Sequence, residues 1–250
     1  METQPGSEAP VVERLPIERE KYLWFETGVV FAACLLPWLY TSWTGFYYAR
    51  GPSYLTGAHY SLRELVSCTG YTSVILFVIW RSGDLPSRFG LRQLHVWKDC
   101  LGCIGAWLIL RITMRLTWIA VWYFTTAQTH NWLDHEAANT IISRPDIGID
   151  YVVLGIGALA SGWAQELLMR GYLIPRLEEL LGSKPLAIFV TAALFSCYHS
   201  YESPRAMIRM FVWGVVSGVI FCRWRRLMPL ALAHSLDNFL IFCRVPIPWI

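Results

Sequence analysis

Apolar residues run along this chain in blocks that approach the thickness of a lipid bilayer, and short polar stretches separate them. A membrane-crossing helix needs about 20 consecutive, mostly apolar residues. Seven blocks come near that length: 22–41, 65–80, 99–124, 149–173, 185–199, 210–222 and 228–242. Singly, the shorter ones would suit the core of a soluble protein. Seven in one chain predict an all-α, polytopic membrane helix bundle. The fourth block predicts a helix that continues to Leu181, with Gly182 as its C-cap and Ser183, Lys184 and Pro185 as its stop. Gly171 and Pro175 predict a kink inside that helix.

Composition agrees. Of 250 residues, 55% are hydrophobic and 16% charged, against about 25% charged in an ordinary globular protein. This excludes a disordered chain, a collagen-like chain and a disulfide scaffold. A net charge of +3 without a dense basic face argues against nucleic acid as a partner. Residues 1–20, broken by Pro5, Pro10 and Pro16, read as a disordered leader, with no secretory signal peptide. Residues 21–148 form a region of three helices and 149–250 a core of four.

Lys and Arg fall twelve to six in favour of the side that holds the N-terminus. The positive-inside rule then predicts a cytoplasmic N-terminus, as in a prokaryotic inner membrane. Trp24, Trp38, Trp43, Trp80, Trp97 and Trp249 fall near block ends and predict an interfacial aromatic belt. Cys100 and Cys103 form a single CxxC, read as two thiols on one helical turn.

Ionisable groups inside membrane helices are costly, so each marks a site or a structural pair. Glu26 lies near the start of the first block, where it can snorkel to the interface. Arg111 and Arg115 share one helix face and read as structural. Three groups are more informative. Gln165, Glu166 and Arg170 lie in the fourth block, with Glu166 and Arg170 at i and i+4 in the acid-first order that favours pairing. Gln165 is rotated by about 100° from Glu166 and meets a different neighbour. Phe195 and His199 stand at i and i+4 in the fifth block, and His234 and Asn238 do so in the seventh, with Asp237 one residue off that face. Counting rise per residue brings all three groups near the bilayer midplane. Gly214 and Gly218 form a GxxxG suited to close helix packing. His130, Asp134, His135 and Glu136 read as a solvated loop, and His59 and His95 have no matching partners.

With these residues the chain resembles the CPBP family, the CAAX proteases and bacteriocin-processing (Abi) enzymes. The family's motifs EExxxR, FxxxH and HxxxN read here as Gln165-Glu166-xxx-Arg170, Phe195-xxx-His199 and His234-xxx-Asn238. The stretch MRGYLIPRLEELLGS also fits, and the resemblance covers about residues 150–242. It implies a glutamic-type intramembrane endopeptidase acting on a membrane-associated or lipidated peptide or protein, in contact with lipid and without a cofactor. By resemblance, the leading carboxylate and His199 activate a water, His234 and Asn238 stabilise the oxyanion, and Arg170 and Phe195 support the site. Such hydrolysis needs a base for the water and donors aimed at the developing charge.

The leading position holds Gln165, whose amide takes no proton near neutral pH. Three readings stay open. Glu166 takes over as base with His199 as partner. The chain is a binding or scaffold relative without hydrolysis. Or glutamine replaces an original glutamate. A metalloprotease with Glu166, His199 and His234 on zinc is a further alternative, although the spacing is not HExxH-like.

Overall fold

The fold is that of a computed structural model, which describes residues 17–47, 54–55, 57–126, 141–142 and 148–243. Helix α1 (Ile17–Val30) starts at Ile17, so residues 17–20, expected in the leader, are helical. A π-helical turn, Phe31–Leu35, joins it to α2 (Leu36–Tyr47). Then come α3 (Gly57–Ser82), α4 (Val96–Thr126) and α5 (Gly148–Glu166). A second π-helical stretch, Leu167–Leu173, leads into α6 (Ile174–Leu181). Helices α7 (Lys184–Tyr198), α8 (Pro204–Trp224) and α9 (Met228–Phe242) complete the bundle. The only strand pairing among the described residues is a two-residue parallel ladder, β1 (Tyr54–Leu55) with β2 (Ile141–Ile142).

Among the described residues five helices are long and apolar enough to cross a membrane: Ile17–Thr44, Ser61–Ser82, Val96–Phe124, Gly148–Leu181 and Pro204–Trp224. The chain is an all-α integral membrane bundle. Gly148–Leu181 is its axis. Of its apolar window, 61% is buried inside the bundle, against 11% for Val96–Phe124, which faces outward. Around Gly171, where a kink is expected, the backbone is π-helical over Leu167–Leu173, a geometry found at many helix kinks. Gly182 ends the helix in the left-handed conformation (φ 63°), and Ser183 caps α7 by accepting from Leu186 N.

Helices α7 and α9 have 15 residues each. At about 1.5 Å per residue each spans roughly 22 Å, short of a hydrocarbon core about 30 Å thick. His199 therefore stands at the C-cap of α7, where the chain turns. Irregular backbone at that depth is tolerated only when protein or water surrounds it.

Close approaches fix the packing. A Cβ on Gly162 of α5 would lie 2.7 Å from Ser235 N and 2.9 Å from Ser235 Cα of α9. On Gly214 it would lie 2.7 Å from Ala192 Cα, so the GxxxG seats α8 on α7. At one end of the bundle the charges form a network. Arg176 is fully buried and donates to Glu26 Oε1 at 2.8 Å and Asp84 Oδ2 at 2.6 Å. Tyr172 O–H also donates to Glu26, at 2.8 Å. Arg19 and Arg88 each reach both Asp84 and Glu179. Glu26 does not snorkel: Tyr172 and Arg176 give it partners inside the bundle. At the same end Arg226 binds Asp99 at 2.7 and 2.8 Å.

Arg111 pairs with Asp237, and the Arg115 guanidinium lies 5.0 Å over the Trp118 ring. Trp24, Trp43, Trp80 and Trp97 are exposed, as a belt requires. Trp38 is not part of that belt, because it stacks on Tyr198 at 4.9 Å and meets Tyr71 edge-on at 4.8 Å. The seven cysteines are free. Trp249 and the loop holding His130, Asp134, His135 and Glu136 lie outside the described residues.

Two outcomes follow for stability. Gly162→Ala should lower the thermal midpoint by the equivalent of about 1–3 kcal/mol of overpacking. Gly155→Ala, whose new Cβ meets only Phe239 ring atoms at 3.7 and 3.8 Å, should be neutral or slightly stabilising. Thermal unfolding in detergent compares the two. Burial alone pushes the Asp84 carboxyl up, but the Arg176, Arg88 and Arg19 guanidinium groups outweigh it and hold the carboxyl below its ordinary range. The native form thus gains stability above the ordinary pKa of 3.8 and loses it as pH falls through the lowered native value. Asp84→Asn should destabilise at pH 7, and the difference from wild type should vanish in acid.

Candidate active site

The site forms where α5 and the π-helical stretch meet α7, α8 and α9. The i, i+4 spacing predicted from sequence holds: Arg170 Nη1 donates to Glu166 Oε1 at 3.1 Å. His234 Nδ1 reaches the same oxygen at 2.8 Å across the bundle. Glu166 and Arg170 are each 1% exposed. A carboxylate taken that far from water is stable only when paired and hydrogen-bonded. The other oxygen, Glu166 Oε2, is buried without a protein donor.

Arg170 is held on three sides. Its Nη2 donates to Ser217 Oγ of α8, and Ser217 passes its own proton to Trp213 O at 2.6 Å. The guanidinium lies 4.5 Å over the Phe195 ring. Phe195 is thus a wedge: one face carries Arg170, while His199 lies 4.6 Å away and His234 stands edge-on at 6.1 Å. Trp213 closes the other flank of His234 at 5.6 Å.

The hydrogen bonds set the histidine tautomers. His199 Nδ1 lies 2.8 Å from the Phe195 carbonyl, which can only accept, so Nδ1 carries the proton. His234 Nδ1 faces a carboxylate and is the donor there too. In the neutral form of each ring Nε2 is then an acceptor, the state a base requires.

Gln165 turns away from this frame, as the 100° rotation predicts. Its Nε2 donates to Ser161 Oγ at 2.8 Å, and its Oε1 is buried without a donor. Asn238 is half-buried one turn beyond His234 on α9. Asp237 points to Arg111 and Trp107 instead. The motif residues drawn together by direct contact are therefore Glu166, Arg170, Phe195, His199 and His234. Glu166 meets His234 rather than His199. Among the described residues no three His, Cys, Asp or Glu side chains form a group able to hold a metal ion.

Sequence reasoning missed Ser161, Trp213 and Ser217. Ser161 could have been found as the i−4 neighbour of Gln165. Ser217, one residue before Gly218, gives no such signal, because its role arises only where α8 crosses Arg170.

Residues 148–240 match the family model described as type II CAAX prenyl endopeptidase Rce1-like. No curated protein and no solved structure matches the chain. The matched segment runs from the start of α5 almost to the end of α9 and contains every residue of the frame around Glu166. Over these five helices the chain is similar to the Rce1-like CAAX prenyl endopeptidases.

Proposed function

We propose that this chain is an intramembrane endopeptidase that hydrolyses a peptide bond of a membrane-associated or lipidated substrate, with Glu166 as the proton acceptor. The observation that carries the reading is Glu166 Oε2, a buried carboxylate oxygen with no protein donor. Such an acceptor is ordinarily satisfied by an ordered water. A water held there can give its proton to Glu166 as its oxygen attacks the peptide carbonyl carbon. The proton then passes to the leaving nitrogen as the C–N bond breaks. The Asn238 amide would donate to the oxyanion, joined by His234 Nε2 only in a ring that carries a proton on both nitrogens, and His199 Nε2 would accept from the water. The excess of Lys and Arg on the N-terminal side supports a cytoplasmic N-terminus, as in a prokaryotic inner membrane.

One feature favours a second reading, a relative that binds peptide without hydrolysing it. Gln165 occupies the leading position and cannot accept a proton, while Glu166 Oε1 is already shared by Arg170 and His234. The readings separate in a cleavage assay of the purified protein on lipidated and unlipidated C-terminal peptides. Hydrolysis by wild type should fall by about 10²–10⁴-fold in Glu166→Gln and in His199→Ala. Unchanged cleavage in both variants would remove Glu166 and His199 from the mechanism. A Gln165→Glu form that gains activity from a zero baseline would establish the binding reading.

A further inference from the structure

Asp237 stands on α9 between His234 and Asn238, and the frame around Glu166 makes no use of it. Its partners lie on α4. Trp107 Nε1 donates to Asp237 Oδ1 at 3.1 Å, and Arg111 Nε forms an ion pair with the same oxygen at 2.5 Å. The Arg111 guanidinium also lies 5.9 Å over the Trp107 ring. Trp107 and Arg111 stand at i and i+4, so they share one face of α4. Both lie outside residues 148–240, the segment that the family model matches.

The same two helices are fastened again toward the start of α9. Arg226, just before that helix, binds Asp99 of α4 at 2.7 and 2.8 Å. A Cβ on Gly102 of α4 would lie 3.1 Å from Pro229 Cβ. At about 1.5 Å per residue, the Asp99 and Arg111 contacts are roughly 18 Å apart along α4. An ion pair thus stands at each end of the stretch that α4 and α9 share.

Asn238 gives the far clamp its consequence. Its side chain is half-buried and makes no hydrogen bond among the described residues. The direction of its amide is therefore set by the rotation of α9 about its own axis. Side-chain ends lie about 5–6 Å from a helix axis, so a turn of about 20° carries the amide some 2 Å, beyond hydrogen-bond reach of a fixed acceptor. His234 ties α9 to α5 through Glu166, and Ser235 donates only to Ala231 of its own helix. Asp237 is the other polar tie from α9 to a neighbouring helix among the described residues. Without it α9 can turn about the His234 contact.

We propose that Trp107 and Arg111 are positioning residues of this site: through Asp237 they fix the rotation of α9 and so hold the Asn238 amide toward the developing oxyanion. Helix α4 thereby completes, from outside the matched segment, a site whose other groups lie within it. The consequence for catalysis rests on the endopeptidase reading. The hold on Asn238 does not.

The chain has three asparagines, Asn131, Asn139 and Asn238. Asparagine-selective ¹⁵N labelling of the full chain in micelles therefore gives three side-chain amide signals, and the Asn238 pair is identified by its loss in Asn238→Ala. In wild type and in Arg111→Lys, which keeps the charge, this pair should be single and sharp. In Trp107→Phe and Arg111→Met it should broaden or split, because α9 then samples several rotations. Arg111→Met leaves Asp237 without its counter-charge; where that variant fails to fold, Trp107→Phe, which keeps the ion pair, carries the test. A single sharp Asn238 pair in the folded variants, shifted or not, overturns the proposal. Peptide cleavage gives the second readout. Trp107→Phe should lower kcat about tenfold with KM changed less than about twofold, and should cost nothing further in an Asn238→Ala background. An equal loss in both backgrounds means that Trp107 supports only the fold, and it also overturns the proposal. If the Asn238 signal broadens as expected while no form cleaves any peptide, the positioning role stands and the endopeptidase reading fails.

Discussion

A carboxylate deep in a membrane bundle needs counter-charge and donors on every side it presents to protein. Glu166 meets that requirement at Oε1, with Arg170 from its own helix and His234 from α9, and leaves Oε2 without a protein donor. Arg170 brings the same requirement with it, and the Phe195 ring and Ser217 satisfy it. A single buried charge thus fixes the relative placement of α5, α7, α8 and α9. Breaking a buried pair of this kind by removing one partner typically costs about 3–5 kcal/mol, because the other charge is left uncompensated. The pair therefore acts more on the uniqueness of the arrangement than on its net stability.

The backbone geometry serves that placement. Small residues at Gly157, Gly162 and Gly214 let α5 and α8 approach their neighbours until backbones touch. The π-helical stretch carries Arg170 and so sets its register against Glu166. Helix α7, too short to span the hydrocarbon core, ends at the site, which puts His199 at a turn. Hydrolysis inside a bilayer needs this combination: groups rigid enough to hold a water, and a break in the helical wall through which water and peptide can enter.

Much of this was legible in the sequence, for a definable reason. In a chain with so few charges, each polar residue within an apolar block stands out, and helical spacing alone predicts the Glu166–Arg170 and Phe195–His199 contacts. The end of α6 at Gly182 is equally local. Contacts made across the bundle were not legible. Nothing in the spacing tells that Glu26 belongs to Arg176, that Asp237 belongs to Arg111 rather than to the His234 face, or that Glu166 meets His234 before His199. Trp38 sits near a block end like the belt tryptophans, yet the crossing of α2 with α7 stacks it inward.

The central claim is that the buried Glu166–Arg170 pair holds the helices of the site in one arrangement. The most direct test is a double-mutant cycle on unfolding stability with Glu166→Gln, Arg170→Met and the two combined. The single variants should each be strongly destabilised, and the double variant should recover part of the loss, giving a coupling of about 2–3 kcal/mol. Strictly additive losses, with no coupling between the two positions, would contradict the account.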